Sequence, residues 1–470
     1  MQQSPLRPEA TLGDWLRRNT SDEDWTLWGA RANASLKELI TGSTLGGHLP
    51  QLIGRSVLVA TNDQLAAALA LIELDGVARR LVLCPPGLAP EHLPAIARTA
   101  EVDALVTDRP ADEPDTLGVD LRILCDRSIR PNQVERPPIR HTEWILLTSG
   151  TLGTPKGVVH DLASLTAAIR PGRTSDSPVV WATFYDIRRY GGLQIFLRAI
   201  LGGASLVLSD SKEPVGQFLS RLREHGATHI TGTPSHWRRA LWSPSASSIS
   251  PQYARMSGEV ADQAIIDNLR AAYPQAKIGH AYASTEAGVG FHVDDEREGF
   301  PMNFVGAQRD GVEIRIENGS LHLRSLGTAS RYLGESFRAI PRDDGFVDTG
   351  DTIEVRNERC YFVGRVGGII NVGGMKVHPE EVEGVINRHP DVRMSLVRPK
   401  KNPITGSVVV ADVVLNALDA SDADARKMEV KSEIIKLCRN SLTEWKVPVA
   451  ISFVQSLAMT EGGKLARAHA

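Results

Sequence analysis

One stretch of the chain, LLTSGTLGTPKGVVH at residues 146–160, is more informative than any other. The apolar run from Trp144 to Leu147 predicts a buried strand. It leads into a loop of glycine and hydroxyl residues that ends in Lys156. Glycines let backbone N–H groups close on an anion, hydroxyls add donors, and a lysine supplies a charge that suits a phosphate. The stretch therefore indicates a nucleotide-phosphate loop, although an ordinary surface turn has a similar composition.

The loop is not of the Walker type, because Lys156 precedes Gly157 and no Ser or Thr follows to hold magnesium. It instead resembles the signature [YF]TSGTTGxPKG of the adenylate-forming superfamily, which includes acyl-CoA synthetases, peptide-synthetase adenylation domains and luciferases. Only Leu152, where that family usually has Thr, departs inside the core of the signature. The resemblance implies that the nucleotide phosphates are bound by Thr148, Ser149, Gly150, Thr151, Gly153, Thr154 and Lys156.

Composition sets limits on the kind of protein. A chain of 470 residues is too long for one ordinary core, so we expect two or more domains. The formal net charge of −3, without a run of Lys and Arg, gives no electrostatic case for nucleic acid or an anionic membrane. No apolar stretch is long enough for membrane insertion. Three of the four widely spaced cysteines lie in apolar or helical settings, which predicts buried thiols in a reducing compartment, and we expect a cytoplasmic protein.

The rhythm of apolar segments predicts the architecture. Trp15, Trp25, Trp28 and Leu36 are predicted to anchor the lead segment on a core. Short buried strands alternate with helices over residues 56–107 and again over 179–234, which predicts two parallel-sheet subdomains. Residues 108–140, rich in proline, are predicted to be a connection. Alternating apolar residues at 312–324 flank Glu317-Asn318-Gly319 and predict a β-hairpin.

The tail after Glu380 has the pattern helix, strand, strand, helix, strand, which predicts a small α+β lid. The predicted fold class is thus α/β: a large N-terminal domain of two parallel α/β subdomains plus a small β subdomain, with a small mobile α+β C-terminal lid. We place the domains at residues 1–364 and 365–470.

Two further motifs follow the phosphate loop in the family's order. Ala281-Tyr282-Ala283-Ser284-Thr285-Glu286 resembles the family's YGxTE, with Ala283 where Gly is usual. The resemblance implies that residues 281–284 border the nucleotide and that Tyr282 can stack on the base. It also implies that Thr285 donates to a phosphate and that Glu286 is a ligand of Mg²⁺. Gly258 and Glu259 are predicted to start a helix running to about Tyr273. By the resemblance, these two residues would line the adenine. The alternative is that they form an ordinary helix N-terminus.

The motifs of the C-terminal third complete the set. Gly345-Phe346-Val347-Asp348-Thr349-Gly350-Asp351 resembles [YF]RTGD, whose last Asp accepts from both ribose hydroxyls; an acidic surface turn is the alternative. Residues 361–383 resemble GRxDDxIKxxGxxVxPxEIE, so Arg365 would contact ribose and phosphate. Gly373 and Gly374 would then approach the site in the thioester-forming pose. Gly367 and Gly368 replace the usual pair of Asp at the hinge, and glycine still permits rotation there.

Two candidate catalytic residues remain. Lys464, in TEGGKLAR at residues 460–467, resembles the lysine of TxxGKxxR, which binds the carboxylate and the α-phosphate together; a frayed basic tail is the alternative. Arg189 stands three positions before Gly192, where acyl-CoA synthetases have a His or an aromatic residue. It could hold the substrate carboxylate or a second acidic group, or pair with Asp186.

The resemblance implies a two-step reaction. A small carboxylic acid attacks Mg·ATP, giving an acyl-adenylate and pyrophosphate, and after lid rotation a thiol attacks the mixed anhydride. The predicted cofactors are ATP, Mg²⁺ and CoA, with carrier-protein phosphopantetheine as the alternative acceptor. A non-catalytic nucleotide-binding relative is a further alternative. The chain lacks the FDxS pattern of amino-acid-activating domains, and a homodimer stays open.

Overall fold

The lead segment of the computed structural model packs onto the core through its large apolar residues. The structure describes residues 11–19, 25–109, 117–131, 140–148, 155–172, 178–334, 340–416, 423–460 and 462–467. The first elements are α1 (Leu12–Asn19), β1 (Thr26–Trp28), β2 (Asn33–Ser35), α2 (Glu38–Thr41) and β3 (Gly42–Ser43). Trp15, Trp25 and Leu36 are buried, as predicted. Trp28 is half-buried and stacks on His225, with ring centroids 4.6 Å apart.

The first α/β subdomain contains a seven-stranded sheet. The elements of this subdomain, in chain order, are β4 (Ser56–Val59), α3 (Gln64–Leu74), β5 (Arg80–Leu83), α4 (Leu93–Thr99), β6 (Ala104–Thr107), β7 (Leu121–Leu124), β8 (Arg130–Pro131), β9 (Glu143–Thr148) and β10 (Lys156–His160). Strand β8 pairs with β3 outside the seven-stranded sheet, whose remaining strand is Arg331–Tyr332 from later in the chain. The prediction that residues 108–140 are only a connection was wrong, because β7 pairs in parallel with β6. Only Ile123 of β7 is buried, so this short edge strand lacks the apolar run that marks its neighbours. β9 and β10 form an antiparallel pair around the phosphate loop.

The second α/β subdomain is built on an eight-stranded sheet. Its elements are α5 (Leu162–Thr166), β11 (Val180–Thr183), α6 (Tyr190–Leu201), β12 (Ser205–Leu208), α7 (Val215–Glu224), β13 (His229–Gly232), α8 (Pro234–Trp242), β14 (Tyr253–Ser257), α9 (Gln263–Ala272), β15 (Lys277–Ser284) and β16 (Gly288–Val293). The strand order is β16-β15-β14-β13-β11-β12-β1-β2, parallel except at the two edge strands β16 and β2. The carboxyl ends of β13, β14 and β15 therefore meet at one edge, where ligands bind in such sheets.

One predicted helix in this subdomain begins later than expected. The helix placed from Gly258 onward starts at Gln263, because Gly258 has a φ of +86° and the Asp262 carboxylate caps the helix by accepting from the Ile265 N–H at 3.1 Å. Residues 258–262 form a loop that leads from the strand end toward the lid side of the molecule. The apolar pattern of residues 162–170 predicts a longer helix than the structure has, since α5 ends at Thr166.

The small β subdomain is a six-stranded sheet with β21 extending away from it. Its elements are β17 (Phe300–Pro301), β18 (Gln308–Arg309), β19 (Val312–Glu317), β20 (Ser320–Ser325), β21 (Arg331–Tyr332), β22 (Val347–Arg356) and β23 (Arg359–Arg365). The predicted hairpin is confirmed by β19 and β20, joined at Asn318 and Gly319, both at positive φ. The alternative of an acidic surface turn at Asp351 was wrong: the turn lies at Gly345, and Asp351 is inside β22, opposite Arg365 of β23. β21 pairs with β10 instead.

The C-terminal lid has the predicted order of elements. They are β24 (Ile370–Val372), β25 (Met375–Val377), α10 (Pro379–Ile386), β26 (Val392–Asn402), β27 (Gly406–Leu415), α11 (Ala423–Ser441) and β28 (Ala450–Phe453). Val382 and Ile386 of α10 and Val430 and Ile434 of α11 are buried in one cluster with the sheet. The predicted fold class is thus confirmed, with antiparallel edge strands added to both large sheets. The division at residues 364 and 365 stays a prediction.

Two further observations bear on the sequence-based expectations. All four cysteines, Cys84, Cys125, Cys360 and Cys438, are buried free thiols, where the sequence predicted burial for three. Within the described ranges, no helix combines the length and the apolar character needed to cross a membrane.

Candidate active site

A cleft of about 850 Å³ lies between the lid and the large domain. It is lined by residues from five of the predicted motifs: Gly258, Glu259, Ala281, Tyr282, Ala283, Asp351, Arg365 and Lys464. These residues are far apart in sequence, so the fold alone brings them together. The cleft is therefore the candidate active site.

Asp351 is the centre of a hydrogen-bonded group on one wall of the cleft. Its carboxylate accepts from Arg365 Nε at 2.7 Å and from the Tyr282 hydroxyl. The carboxylate is 13% exposed, whereas the Arg365 side chain is 66% exposed. Burial, and after it the charge of Asp351, hold the pKa of Tyr282 well above its usual range, so this hydroxyl stays a donor. The wall thus presents a fixed carboxylate and a guanidinium.

The ring of Tyr282 lies within an aromatic cluster. It stacks on Phe362, with centroids 5.0 Å apart and planes 6° apart, and on Phe291 at 5.6 Å and 18°. These contacts fix the ring, and with it the hydroxyl that holds Asp351. Stacking of Tyr282 on a nucleotide base stays a prediction.

Lys464 reaches the cleft from a tight loop of the lid. The loop is closed by hydrogen bonds from Thr460 N to Lys464 O at 2.7 Å and from Gly463 N to Thr460 O at 2.9 Å. The Lys464 Cε atom lies 3.2 Å from the point that a Cβ would occupy at Gly258, so a side chain at Gly258 would crowd the lysine. The lysine stays in contact with water in the open cleft. Burial among protein atoms, and after it the charge of Arg365, lower the pKa of Lys464. The charges of Glu259 and Asp351 oppose this shift.

Two side chains of the large domain hold the lid loop by its main chain. The Thr233 hydroxyl donates to the Gly463 carbonyl at 2.6 Å. Glu259 Oε1 accepts from the Leu465 N–H at 2.9 Å, while its Oε2 accepts from the Ser235 N–H at 3.0 Å. Glu259 lines the cleft, and its carboxylate oxygens are engaged by the protein; its contact with an adenine stays a prediction. The lid is thereby docked with its lysine facing inward.

The phosphate loop itself lies largely outside the described residues, which exclude Ser149, Gly150, Thr151, Gly153 and Thr154. Its two ends are described, because Thr148 of β9 pairs with Lys156 of β10. The exposed Lys156 Nζ lies 5.4 Å from the ring centroid of Tyr332, whose hydroxyl donates to Glu286 Oε1 at 3.4 Å. The phosphate-loop lysine and the predicted metal ligand therefore converge on one tyrosine.

The turn between β15 and β16 carries Thr285 and Glu286. The Thr285 carbonyl accepts from His160 Nε2 at 2.7 Å, and the Ser284 hydroxyl accepts from the Ala287 N–H at 2.9 Å. Burial lowers the pKa of His160 to about 4, so at neutral pH its ring is neutral and Nε2 carries the proton that is donated. This bond fixes the turn against β10, close to the end of the phosphate loop.

Arg189 lies at the start of α6, next to the lid loop. A Cβ at Gly462 would stand 3.8 Å from Arg189 Cδ. The alternative that Arg189 pairs with Asp186 is not what the structure has, because Asp186 binds the buried Arg188, with Oδ2 2.6 Å from Nη2. Arg189 is thus placed where it can influence Lys464, whose pKa it helps to lower.

The hinge and the second glycine loop lie outside the cleft in this lid orientation. Gly373 and Gly374 form the turn between β24 and β25 at positive φ, and Gly373 N donates to Thr405 O at 2.9 Å. Gly367 and Gly368 are exposed, and a Cβ at either would have no neighbouring atom within 4 Å. The hinge therefore has room for side chains, and the approach of Gly373 and Gly374 to the cleft stays a prediction.

Sequence reasoning missed three residues at the site: His160, Thr233 and Tyr332. Thr233 had a usable signal, since Thr followed by Pro marks a helix N-terminus, here that of α8. His160 ends the stretch at residues 146–160, but nothing in that sequence pattern indicates its contact with Thr285. Tyr332 lies in the sequence between the motif at residues 281–286 and the motif at residues 345–351, and it belongs to neither.

The metal prediction rests on one side chain. Among the described residues, no group of three or more His, Cys, Asp or Glu side chains is arranged to hold a metal ion. Glu286 is a single carboxylate near the phosphate-loop lysine, as described above. Such a site could hold a cation only together with ligands from a bound substrate.

Comparison with protein families identifies the two parts of the chain. The model "AMP-binding enzyme" matches residues 58–329, more than half of the chain, and the model "AMP-binding enzyme C-terminal domain" matches residues 381–464. Among curated relatives, 2-succinylbenzoate–CoA ligase of Salmonella typhimurium is 28% identical over 330 residues, covering 64% of this chain and 68% of that protein. The 4-coumarate–CoA ligase 3 of Arabidopsis thaliana is 24% identical over 351 residues, covering 68% of this chain and 61% of that protein.

Solved structures share the whole fold. The anthranilate CoA ligase AuaEII in complex with anthranoyl-AMP has a TM-score of 0.76 at 18% identity, covering 98% of this chain and 96% of that one. ATP-bound MatB from Rhodopseudomonas palustris has a TM-score of 0.77 at 20% identity, covering 97% of both chains. With the family model spanning more than half of its length, the chain belongs to the AMP-binding enzyme family, as its motifs predicted.

Proposed function

We propose that the protein is an AMP-forming acid–CoA ligase, which activates a small carboxylic acid with ATP and transfers the acyl group to CoA. The observation that carries this proposal is the position of Lys464, held by the lid in the same cleft as Asp351 and Arg365. The names of the relatives, which are CoA ligases, support it.

In the first step a carboxylate oxygen of the acid attacks the α-phosphorus of ATP. The bond from that phosphorus to the bridging oxygen breaks, and pyrophosphate leaves. The Lys464 ammonium stabilises the negative charge shared by the attacking carboxylate and the α-phosphate, which is where a preorganised cation lowers the barrier. Asp351 accepts from the ribose hydroxyls, and Arg365 contacts ribose and phosphate. The loop from Thr148 to Lys156 binds the remaining phosphates.

Thr285 and Glu286 act at the phosphates. Thr285 donates to a phosphate oxygen from the turn that His160 fixes. Glu286 fits a magnesium ion that is held mainly by phosphate oxygens, because Mg²⁺ in nucleotide sites commonly takes only one or two protein carboxylates. The ion, when bound, would neutralise part of the phosphate charge. Glu286 contributes to the electrostatic environment of Arg365, so the two residues act in one region.

The second step needs another lid orientation, with the domains divided at residues 364 and 365. Rotation at Gly367 and Gly368 breaks the bonds of Thr233 and Glu259 to the lid loop and removes Lys464. The turn at Gly373 and Gly374 then approaches the cleft. The CoA sulfur attacks the acyl carbonyl carbon, the bond to the AMP phosphate oxygen breaks, and AMP leaves as the thiol proton passes to solvent. The four buried thiols suit a reducing compartment such as the cytoplasm.

The test is pyrophosphate release with Mg·ATP over a panel of short, medium and long fatty acids, aryl acids, dicarboxylic acids, hydroxy acids and amino acids, with and without CoA. We expect pyrophosphate release to depend on one class of acid. Its rate should rise further with CoA, because thioester formation removes the bound adenylate and regenerates the free enzyme. Release that stops after one turnover despite CoA would favour a carrier-protein acceptor. No release with any acid, together with ordinary ATP binding, would contradict the proposal.

A further inference from the structure

The amino end of α8 carries an aromatic side chain, His236, to which neither the motifs nor the proposed function assigns a role. His236 is the third residue of this helix, whose first residue, Pro234, follows the capping residue Thr233. It is far from Lys464 in the sequence, yet its ring lies against the lid loop at Gly463. The contact therefore joins the large domain to the loop that carries the lysine.

This contact leaves no room for a side chain at residue 463. A Cβ at Gly463 would overlap the His236 ring at Cε1 and Nε2. Gly463 also has a φ of +70°, a conformation that residues with a side chain rarely adopt. Two independent conditions, a backbone conformation and a neighbouring ring, thus require glycine immediately before Lys464.

The His236 ring is held from more than one side. Its Nδ1 accepts from the Thr233 N–H at 3.1 Å. The ring stacks on Phe184, with centroids 5.3 Å apart and planes 17° apart, and Tyr185 packs edge-on at 5.9 Å. Rotation of the ring away from Gly463 would break both the hydrogen bond and the stacking. The ring is therefore a fixed surface for the lid loop.

The charge of the His236 ring follows from the same environment. Burial, and after it the charge of Arg239, lower the pKa of His236 to about 3, so the ring is neutral at pH 7. Because Nδ1 accepts from the Thr233 N–H, the ring proton is on Nε2. The surface that meets the lid loop thus adds no charge that would repel the ammonium group of Lys464.

The ring contact complements the hydrogen bond that the same helix end makes to the lid loop. The Thr233 hydroxyl accepts from the His236 N–H at 3.0 Å and donates to the Gly463 carbonyl at 2.6 Å. The hydrogen bond fixes the direction of that carbonyl, and the ring limits how closely the Cα of the same residue can approach. Together they fix the peptide that precedes Lys464.

We propose that His236 is a positioning residue for adenylation, whose ring packs against Gly463 and thereby places Lys464 in the cleft. This inference rests on the proposed function, since it assigns a role in the first step of that reaction. The lid leaves α8 when it rotates for the second step, so the ring has no role in thioester formation. The two half-reactions should therefore respond differently to changes at this contact.

The experiment is a double-mutant cycle measured in both half-reactions. Adenylation is measured as single-turnover pyrophosphate release with Mg·ATP and the preferred acid of the panel. Thioester formation is measured with CoA and the chemically synthesised adenylate of that acid. Gly463→Ala should slow adenylation roughly 300-fold, because its Cβ meets the ring and its φ is unfavourable. Thioester formation in this variant should change less than about threefold.

Removal of the ring should restore adenylation to the variant that carries the extra methyl group. His236→Ala alone should slow adenylation about fivefold, since the lid loop keeps its hydrogen bond to Thr233. The double variant Gly463→Ala/His236→Ala should be roughly tenfold faster than Gly463→Ala, the remaining loss being due to the φ and the missing ring. His236→Gln keeps an acceptor for the Thr233 N–H at the helix cap and should rescue Gly463→Ala in the same way.

Two variants serve as matched controls. Gly462→Ala should adenylate as wild type, because the nearest atoms to a Cβ at this neighbouring glycine lie 3.8 Å away. His225→Ala removes a ring that stacks on Trp28, away from the lid loop, and it should not rescue Gly463→Ala.

Docking of the lid can also be followed without any acid. Dyes attached at Lys427→Cys on α11 and at Arg270→Cys on α9 report the lid position by energy transfer. Both side chains are exposed, at 43% and 66%, and the four native cysteines are buried. With Mg·ATP, Gly463→Ala should lower the fraction of docked lid, and the added His236→Ala should raise it again.

The outcomes separate this inference from the proposed function. A double variant that is as slow as Gly463→Ala, or slower, would show that the ring is not the obstacle and overturn the inference. Equal slowing of both half-reactions in His236→Ala would assign the ring to the stability of α8 and also overturn it. No pyrophosphate release by the wild type with any acid would contradict the proposed function, and the energy-transfer measurement would still decide the inference.

Discussion

The cleft and a second cavity of about 800 Å³, bordered by Trp181, Arg198 and His229, have similar volumes but differ in their ion pairs. In the cleft, Arg365 binds Asp351, and Arg467 binds Glu383 with Nη2 and Oε2 2.6 Å apart. At the second cavity, Arg198 forms no ion pair with another described residue, and the pair of Arg170 with Asp310 lies on the surface. The cleft lies between the lid and the large domain and contains residues of the predicted motifs, whereas the second cavity lies in the large domain and contains none of them. The proposed chemistry therefore belongs to the cleft and not to the second cavity.

If that separation is correct, changes in the cleft should affect all acids alike. The largest effect is expected for Lys464→Ala, because it removes the lid lysine that is proposed to face the α-phosphate in the first step. We expect adenylation to slow roughly 1,000-fold for every acid, with ATP affinity changed by less than about threefold. Single-turnover pyrophosphate release and ATP titration measure the two quantities.

Lys427→Ala is the control for this prediction, since Lys427 lies on α11 of the same lid and pairs with Asp424 at 3.2 Å. It should behave as wild type. A loss in Lys464→Ala that is confined to one class of acid would contradict the separation between the two cavities.

A smaller effect is expected for Asp351→Asn. The amide keeps the shape but removes the charge that holds Arg365 and the strongest acceptor for the Tyr282 hydroxyl and the ribose. We expect KM for ATP to rise about 30-fold, by the same factor with diacids and monoacids. Asp348→Asn, three residues earlier on β22 and hydrogen-bonded to Ser320, should leave this KM unchanged. A change in acid preference in Asp351→Asn would show that the cleft also selects the acid.

The smallest effect is expected at the hinge. Gly367→Pro restricts φ near −65° in a segment that must rotate between the two steps, so thioester formation should slow about tenfold while adenylation changes less than about threefold. Single-turnover formation of acyl-CoA from preformed adenylate separates the two steps. Gly367→Ala is the matched control, because a Cβ fits there without any atom within 4 Å. Equal slowing of both steps in Gly367→Pro would place the hinge elsewhere.

The cleft was largely predictable from sequence because each of its motifs is a contiguous string. The strings around Tyr282, Asp351 and Lys464 identified residues that the fold brings to one cleft. The family, the fold class and the enzyme class predicted from them are confirmed. The roles of the individual residues stay predictions.

Three errors had causes that composition does not reveal. β7 has a single buried residue, so its short run between proline-rich segments resembled a linker. The start of α9 depended on the positive φ of Gly258, and the course of β22 depended on pairing with β23. Each case was decided by backbone conformation or by a distant strand, which local propensity does not encode.

The second cavity was not predictable from sequence. Arg198 and His292 lie on a helix and a strand, and each one alone resembles an ordinary polar residue of its element. Only the packing of α6 against the sheet brings them to one cavity. The sequence also left open whether Asp186 pairs with Arg189, and the structure assigns that carboxylate to Arg188.

The way in which the lid loop is held has a consequence for sequence variation. The contacts of Thr233 and Glu259 with the lid loop are to main-chain groups, the Gly463 carbonyl and the Leu465 N–H. Every amino acid supplies these groups, except that proline at residue 465 would lack the N–H. The docked lid therefore depends on the spacing between these two peptide groups and leaves the side chain at residue 465 free to vary. Insertion or deletion of a single residue between 460 and 465 should be far more damaging than substitution of Leu465, because it would move Lys464 out of alignment with Gly258.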